Sequence, residues 1–137
     1  MIYFAAAKDV PMARRAFSPD ELAETPYNHL IVDNGNLYMA GQVPRDSEGN
    51  VVGDTLETQT QKTFENIGVL LEEVDKDFDD IAKVTVYIIG EQESLDGYKR
   101  VYDEVFSEPY PCQTVIGTQP LGDSPVMIEI EAEVPME

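Results

Sequence analysis

Val126-Met127-Ile128-Glu129-Ile130-Glu131-Ala132-Glu133-Val134 alternates apolar and mostly acidic side chains with a period of two. In a β-strand that period places Val126, Ile128, Ile130 and Ala132 on one face and Met127, Glu129, Glu131 and Glu133 on the other. The first face belongs to a core. The second carries three carboxylates, and whatever covers it decides their chemistry. Against solvent they form a charged surface. Under another chain, at least one must be paired, hydrogen-bonded or shifted in pKa, which is how a general base or water-positioning group arises.

The same logic extends upstream. Residues 113–118 read as a strand, joined to the last one by a loop containing Pro120, Gly122 and Pro125. Residues 81–89 are rich in branched side chains, with Val84, Val86 and Ile88 on one face and Tyr87 and Ile89 opposite. Asn34-Gly35-Asn36 between the apolar runs of residues 28–33 and 37–40 predicts a hairpin. Residues 44–53 form a polar loop that must turn at 46–50. Two helices complete the set. In the first, Asp54 can cap, Glu57 follows three residues on, and Leu56, Thr60, Phe64, Ile67, Leu70, Leu71 and Val74 recur at helical spacing. The second is capped by Ser94, carries Leu95, Tyr98, Val101, Tyr102, Val105 and Phe106 on one stripe, and ends before Pro109. No repeat interrupts this order, which predicts an α+β or α/β sandwich: a mostly single sheet with two helices packed on one face. Two helices cannot cover two sheet faces, so the second half-apolar face calls for another copy of the chain and predicts a homo-oligomer.

The 137 residues fit one domain, and a hydrophobic fraction of 42% is enough for a core. Twenty-seven acidic against nine basic side chains give a formal charge of −18. Such a surface repels polyanions, which disfavours nucleic acid and anionic membranes as partners. The charge reads either as solubility or as adaptation to high salt, where salt screens the mutual repulsion of carboxylates. Cys112 is the only cysteine, so neither an intrachain disulfide nor a Cys-based zinc cage can form. The first thirty residues hold no apolar run long enough for a signal peptide, and nothing reaches the length of a membrane span, so a cytoplasmic protein is expected.

Several chemistries are missing. The nine glycines include no Gly-x-Gly, which removes dinucleotide and Walker loops. Asp75, Asp77 and Asp79 imitate a calcium loop, but Asp80 stands at its glycine position and Val86 at its final glutamate, so the run reads as a solvated turn. His29 is the lone histidine and reads as a hydrogen-bonded strand residue. Cys112 has no activating neighbour in sequence and reads as a small buried hydrophobe.

Pro26-Tyr27, Leu37-Tyr38-Met39-Ala40-Gly41-Gln42-Val43-Pro44, Gly49 and Gly53, the stretch from Gln59 to Asn66-Ile67, and Ile128-Glu129-Ile130-Glu131-Ala132 together resemble the RidA/YjgF family over roughly residues 26–134. The resemblance implies a chorismate-mutase-like fold and a homotrimeric barrel with ligand clefts between subunits. It also implies hydrolysis of reactive enamines and imines, such as 2-aminoacrylate, to the 2-oxo acid and ammonia, with no cofactor or metal. By position it makes Tyr27, from the neighbouring subunit, and Glu131 the catalytic pair, with Glu129 or Glu131 facing the cleft. It assigns Gly41, Cys112, Thr118 and Gln119 to the substrate pocket. The family's substrate-carboxylate arginine has no counterpart near Thr118-Gln119-Pro120, and no arginine follows Arg100. A charge-assisted pair contributes roughly 1.5–3 kcal/mol, whereas Gln119 offers neutral hydrogen bonds. Three consequences stay open: the substrate lacks a carboxylate, another cation such as Arg14, Arg15 or Arg45 substitutes, or the deaminase activity is lost. The alternatives to a hydrolase are a non-catalytic metabolite-binding trimer and a ribonuclease, the last opposed by the charge. Residues 1–25 precede the matched motifs as an extension whose order the sequence leaves open.

Overall fold

The structure, a computed structural model, describes residues 13–136. The first part of the expected extension, residues 1–12, lies outside the described residues. The remainder is used by the fold. β1 (Arg15–Phe17) pairs antiparallel with β2 (Leu30–Asp33), which pairs antiparallel with β3 (Asn36–Met39). Asn34 and Gly35 both take positive φ, 55° and 80°, the handedness that suits a two-residue hairpin to twisted strands, and Asp33 pairs with Asn36 across the turn. The short β1 is held from behind by Phe17, which packs against the buried Leu22, Leu30 and Leu70.

α1 (Leu56–Glu73) runs from this sheet to a second one, in which β4 (Lys83–Ile89) lies between β5 (Cys112–Thr118), parallel to it, and β6 (Ile128–Glu133), antiparallel. α2 (Asp96–Val105) connects β4 to β5 and packs beside α1. The α+β class and the two helices on one face are as expected. The single sheet is realised as two three-stranded ladders joined by one bridge, in which Gln42 N–H donates to Ile130 O at 2.8 Å and Ile130 N–H to Gln42 O at 3.0 Å. The pairing stops there because Pro44, two residues on, has no N–H to continue a ladder.

The helix start differs from expectation by one residue. Thr55, not Asp54, caps α1: its hydroxyl accepts from Thr58 N–H at 3.1 Å, and the Thr58 hydroxyl accepts from Thr55 N–H at 3.2 Å. Ser94 accepts from Asp96 N–H at 3.0 Å, one residue ahead of the α2 cap position. The Asp75–Asp80 run is a turn, with Asp77 capping a 3₁₀ turn over Phe78–Asp80 through Asp79 N–H. Val84, Val86, Ile128 and Ile130 are buried beneath both helices, where Phe64, Phe78 and Phe106 meet edge to face. Among the described residues neither helix packs on the opposite face of the β5-β4-β6 sheet, where only loop residues such as Val43, Arg45 and Leu121 border the strands, and β5 is exposed along its whole length. No helix among the described residues is long and apolar enough to cross a membrane.

Candidate functional site

The open face carries the carboxylates that the alternation of β6 required. Tyr87 on β4 stands opposite Glu129, and its neighbour Thr85 opposite Glu131. Tyr87 Oη donates to Glu131 Oε1 at 3.2 Å. The negative charge of Glu131 pushes the Tyr87 hydroxyl up from its ordinary pKa, with burial and that hydrogen bond adding to the effect. Glu129 is half-buried. Removal from water raises its pKa, and the neighbouring Glu131 raises it further, so Glu129 holds a proton more readily than an ordinary glutamate.

Gly41 explains how Glu129 is seated. A Cβ at residue 41 would collide with the Glu129 carboxylate, whose Cδ lies 3.0 Å from the place that methyl carbon would take. The absent side chain is therefore the space that the carboxylate occupies. Around the pair, Val43, Arg45, Tyr87, Ile89, Thr118, Gln119, Leu121, Ser124 and Val126 enclose a cleft of about 430 Å³. A smaller hollow adjoins it, bordered by Tyr27, His29, Gly41 and again Val43 and Arg45.

Two buried amides fix these walls. Gln59 Nε2 donates to Gly53 O and Pro125 O, both at 3.1 Å, and its Oε1 accepts from Met127 N–H at 2.7 Å. Asn66 Nδ2 donates to Val43 O and Arg45 O, both at 3.0 Å. Both side chains sit on the buried stripe of α1, where an unpartnered amide would be costly. Each instead satisfies loop backbone and ties a cleft wall to the helix.

Of the residues singled out from the sequence, Thr118, Gln119 and Glu131 line the cleft together, joined by Glu129. Gly41 touches Glu129 from the adjoining hollow, which it shares with the exposed Tyr27. Cys112 lies at the far end of β5 from Thr118 and is exposed, which corrects its reading as a buried hydrophobe: β5 is an edge strand that none of the described elements covers. His29 is buried and hydrogen-bonded, its Nε2 donating to Ala23 O at 2.8 Å and its Nδ1 accepting from Gln42 Nε2 at 3.3 Å. Tyr87, Gln59 and Asn66 were not picked out for the site from the sequence. The signal for the two amides is their place on the apolar stripe of α1; that for Tyr87 is its period-two position opposite the glutamates.

The family model described as endoribonuclease L-PSP matches residues 18–135. A candidate regulator, AldR, of Lactococcus lactis is 35% identical over 107 residues, covering 77% of this chain and 83% of that protein. A RutC family protein of Pyrococcus abyssi is 33% identical over 127 residues, covering 92% and 95%. The crystal structure of RidA from an Antarctic Psychrobacter shares the fold, with a TM-score of 0.78 at 21% identity over 88% of this chain and 98% of that one.

Proposed function

This chain belongs to the endoribonuclease L-PSP family, the RidA/YjgF proteins, and on that footing we propose that it hydrolyses small reactive imines and enamines to carbonyl compounds and ammonia. One observation carries the reading: two carboxylates side by side on an open sheet face, one with a raised pKa and the other hydrogen-bonded by a tyrosine. Hydrolysis of an imine needs a group that both takes and returns protons, and a carboxylate that holds its proton more readily than usual, set beside a second carboxylate, is suited to that task. Water adds to the C=N carbon as the π electrons move to nitrogen. A carboxylate takes one water proton and returns it to that nitrogen. The hydroxyl proton of the resulting carbinolamine then passes to nitrogen by the same route, the C–N bond breaks, and ammonia leaves as the C=O forms. An enamine enters this sequence as its imine tautomer, once its terminal carbon has taken a proton from a protonated carboxyl of the pair and its nitrogen has given one back. Glu129 is the better proton carrier of the two, and Glu131, held by Tyr87, positions the water.

A homotrimer would cover the open face and bring the partner subunit's Tyr27 to the cleft. The formal charge of −18 and the single, buried histidine speak against RNA as the substrate despite the family's name.

The test generates 2-aminoacrylate in situ with a pyridoxal-phosphate lyase and follows release of the 2-oxo acid in high-salt buffer. The chain is expected to accelerate release, and Glu129→Gln and Glu131→Gln to lose about a hundredfold or more of that acceleration. No acceleration across several amino-acid-derived imines would overturn the proposal. The neutral Thr118 and Gln119 in the cleft favour a second reading, a metabolite-binding trimer without turnover, which saturable binding combined with zero acceleration would establish.

A further inference from the structure

We propose that Arg45 is the anion anchor of this cleft, making the site selective for small carboxylates with an apolar remainder; the inference rests on the ligand site proposed above. Arg45 borders both the Glu129–Glu131 cleft and the adjoining hollow of Tyr27 and Gly41, and among the described residues it is the one Lys or Arg lining either. The ion pairs among the described residues are Arg14–Asp33, Lys62–Glu65 and Arg100–Glu57, so Arg45 belongs to none of these. Arg45 lines the same cleft as Glu129 and Glu131, and none of those ion pairs joins it to either.

The loop that carries it is built as a frame. Arg45 Nη1 donates to Gly49 O at 2.7 Å, which uses one of five guanidinium N–H groups and limits where the rest can swing. Asp46 Oδ1 accepts from Glu48 N–H at 3.0 Å and Asn50 N–H at 2.9 Å, and Val52 N–H returns to Pro44 O at 2.8 Å. The buried Asn66 holds Arg45 O from the helix side. A guanidinium fixed in this way loses little side-chain entropy on meeting a planar carboxylate. Arg14 and Arg15 do not compete within the protomer. The first is tied to Asp33 and the second lies 5.7 Å from the Phe17 ring centroid, both at β1. Val43, Ile89, Val126 and Leu121, which is 90% exposed at the mouth, supply apolar wall for the rest of the ligand.

The test measures binding rather than turnover. Calorimetric titration of the full chain with 2-oxobutanoate and with its neutral amide is compared for the natural protein, Arg45→Lys and Arg45→Met, each checked for an unchanged thermal melt. Expected are measurable affinity for the acid, weakened roughly ten- to hundredfold in Arg45→Met and partly kept in Arg45→Lys, with no change for the amide. Equal affinity of the natural protein and Arg45→Met for the acid, or no binding of the acid at all, would overturn the anchor. The imine assay separates the two readings. Arg45-dependent binding without turnover would leave the anchor standing and remove the hydrolase. Turnover with an unchanged KM in Arg45→Met would do the reverse.

Discussion

β4 and β6 present two faces with the same backbone and opposite fates. On one, Val84, Val86, Ile128 and Ile130 are fully buried under α1 and α2. On the other, Tyr87, Glu129 and Glu131 stand with Ile89 and Ile116 on a surface that none of the described elements covers. The first face is closed by local means: an amphipathic helix follows the strand and folds back on it. The second mixes carboxylates with apolar side chains, a composition suited neither to a dry core nor to a purely solvated surface. What distinguishes them is the origin of the cover, which the two helices supply for one face and do not supply for the other.

The largest expected effect lies on the closed face. Ile130→Ala removes a fully buried side chain from between two strands and α1, and should cost about 2–5 kcal/mol in urea unfolding. A loss under about 1 kcal/mol would mean that the helices pack more loosely than this burial implies. The counterpart on the open face is Ile116→Glu. Ile116 is 40% exposed in the protomer, opposite Tyr87, so the substitution should leave the protomer's fold intact while shifting sedimentation from an oligomer to a monomer. An unchanged sedimentation coefficient would show that copies do not meet on this face.

The closed face was the more legible from sequence. Period-two alternation in residues 126–134 and period-3.6 stripes in the two helices are local signals that packing only confirms. β1 was not legible: three residues, Arg15-Ala16-Phe17, show no periodicity and become a strand only because β2 offers an edge. The cap of α1 moved to Thr55 because two threonines three residues apart can satisfy each other's backbone, an arrangement as local as an Asp–Glu spacing and not separable from it by pattern. On the open face the carboxylates could be read from the alternation of β6, and Thr118 and Gln119 from the family resemblance. The link from Glu131 to Tyr87, 44 residues away, could be read from neither. The exposure of Cys112 was hidden for the same reason, since nothing in a strand's own residues says whether it lies at an edge.

Gly41→Ala carries the comparison to the boundary between the two faces, with a smaller effect. The new methyl group would occupy the place of the Glu129 carboxylate, which is the end of a flexible side chain and can swing away. Stability should therefore change little, while imine hydrolysis falls about tenfold or more as the proton carrier leaves its seat. Undiminished hydrolysis would show that Glu129 works from another position, or that Glu131 alone suffices.

The smallest expected effect is a pH dependence that only the open face should show. The folded chain raises the pKa of Glu129, first by burial and then by the charge of Glu131, so the folded state binds this proton more tightly than the unfolded one. The contribution to stability is thus present in acid and is lost as pH rises from the ordinary glutamate value through the raised folded value. Glu129→Gln removes the penalty of ionising there, and should stabilise the protein at neutral pH by under about 1 kcal/mol, because solvent screens a half-exposed group. In acid, where both forms are neutral, the gain should vanish. Closing the face with further copies would deepen the burial of Glu129 and enlarge the gain, so the difference between the two urea midpoints, followed across protein concentration, reports whether the open face is covered in solution. A gain independent of both pH and concentration would mean that the substitution acts through packing, and that the raised pKa has no part in it.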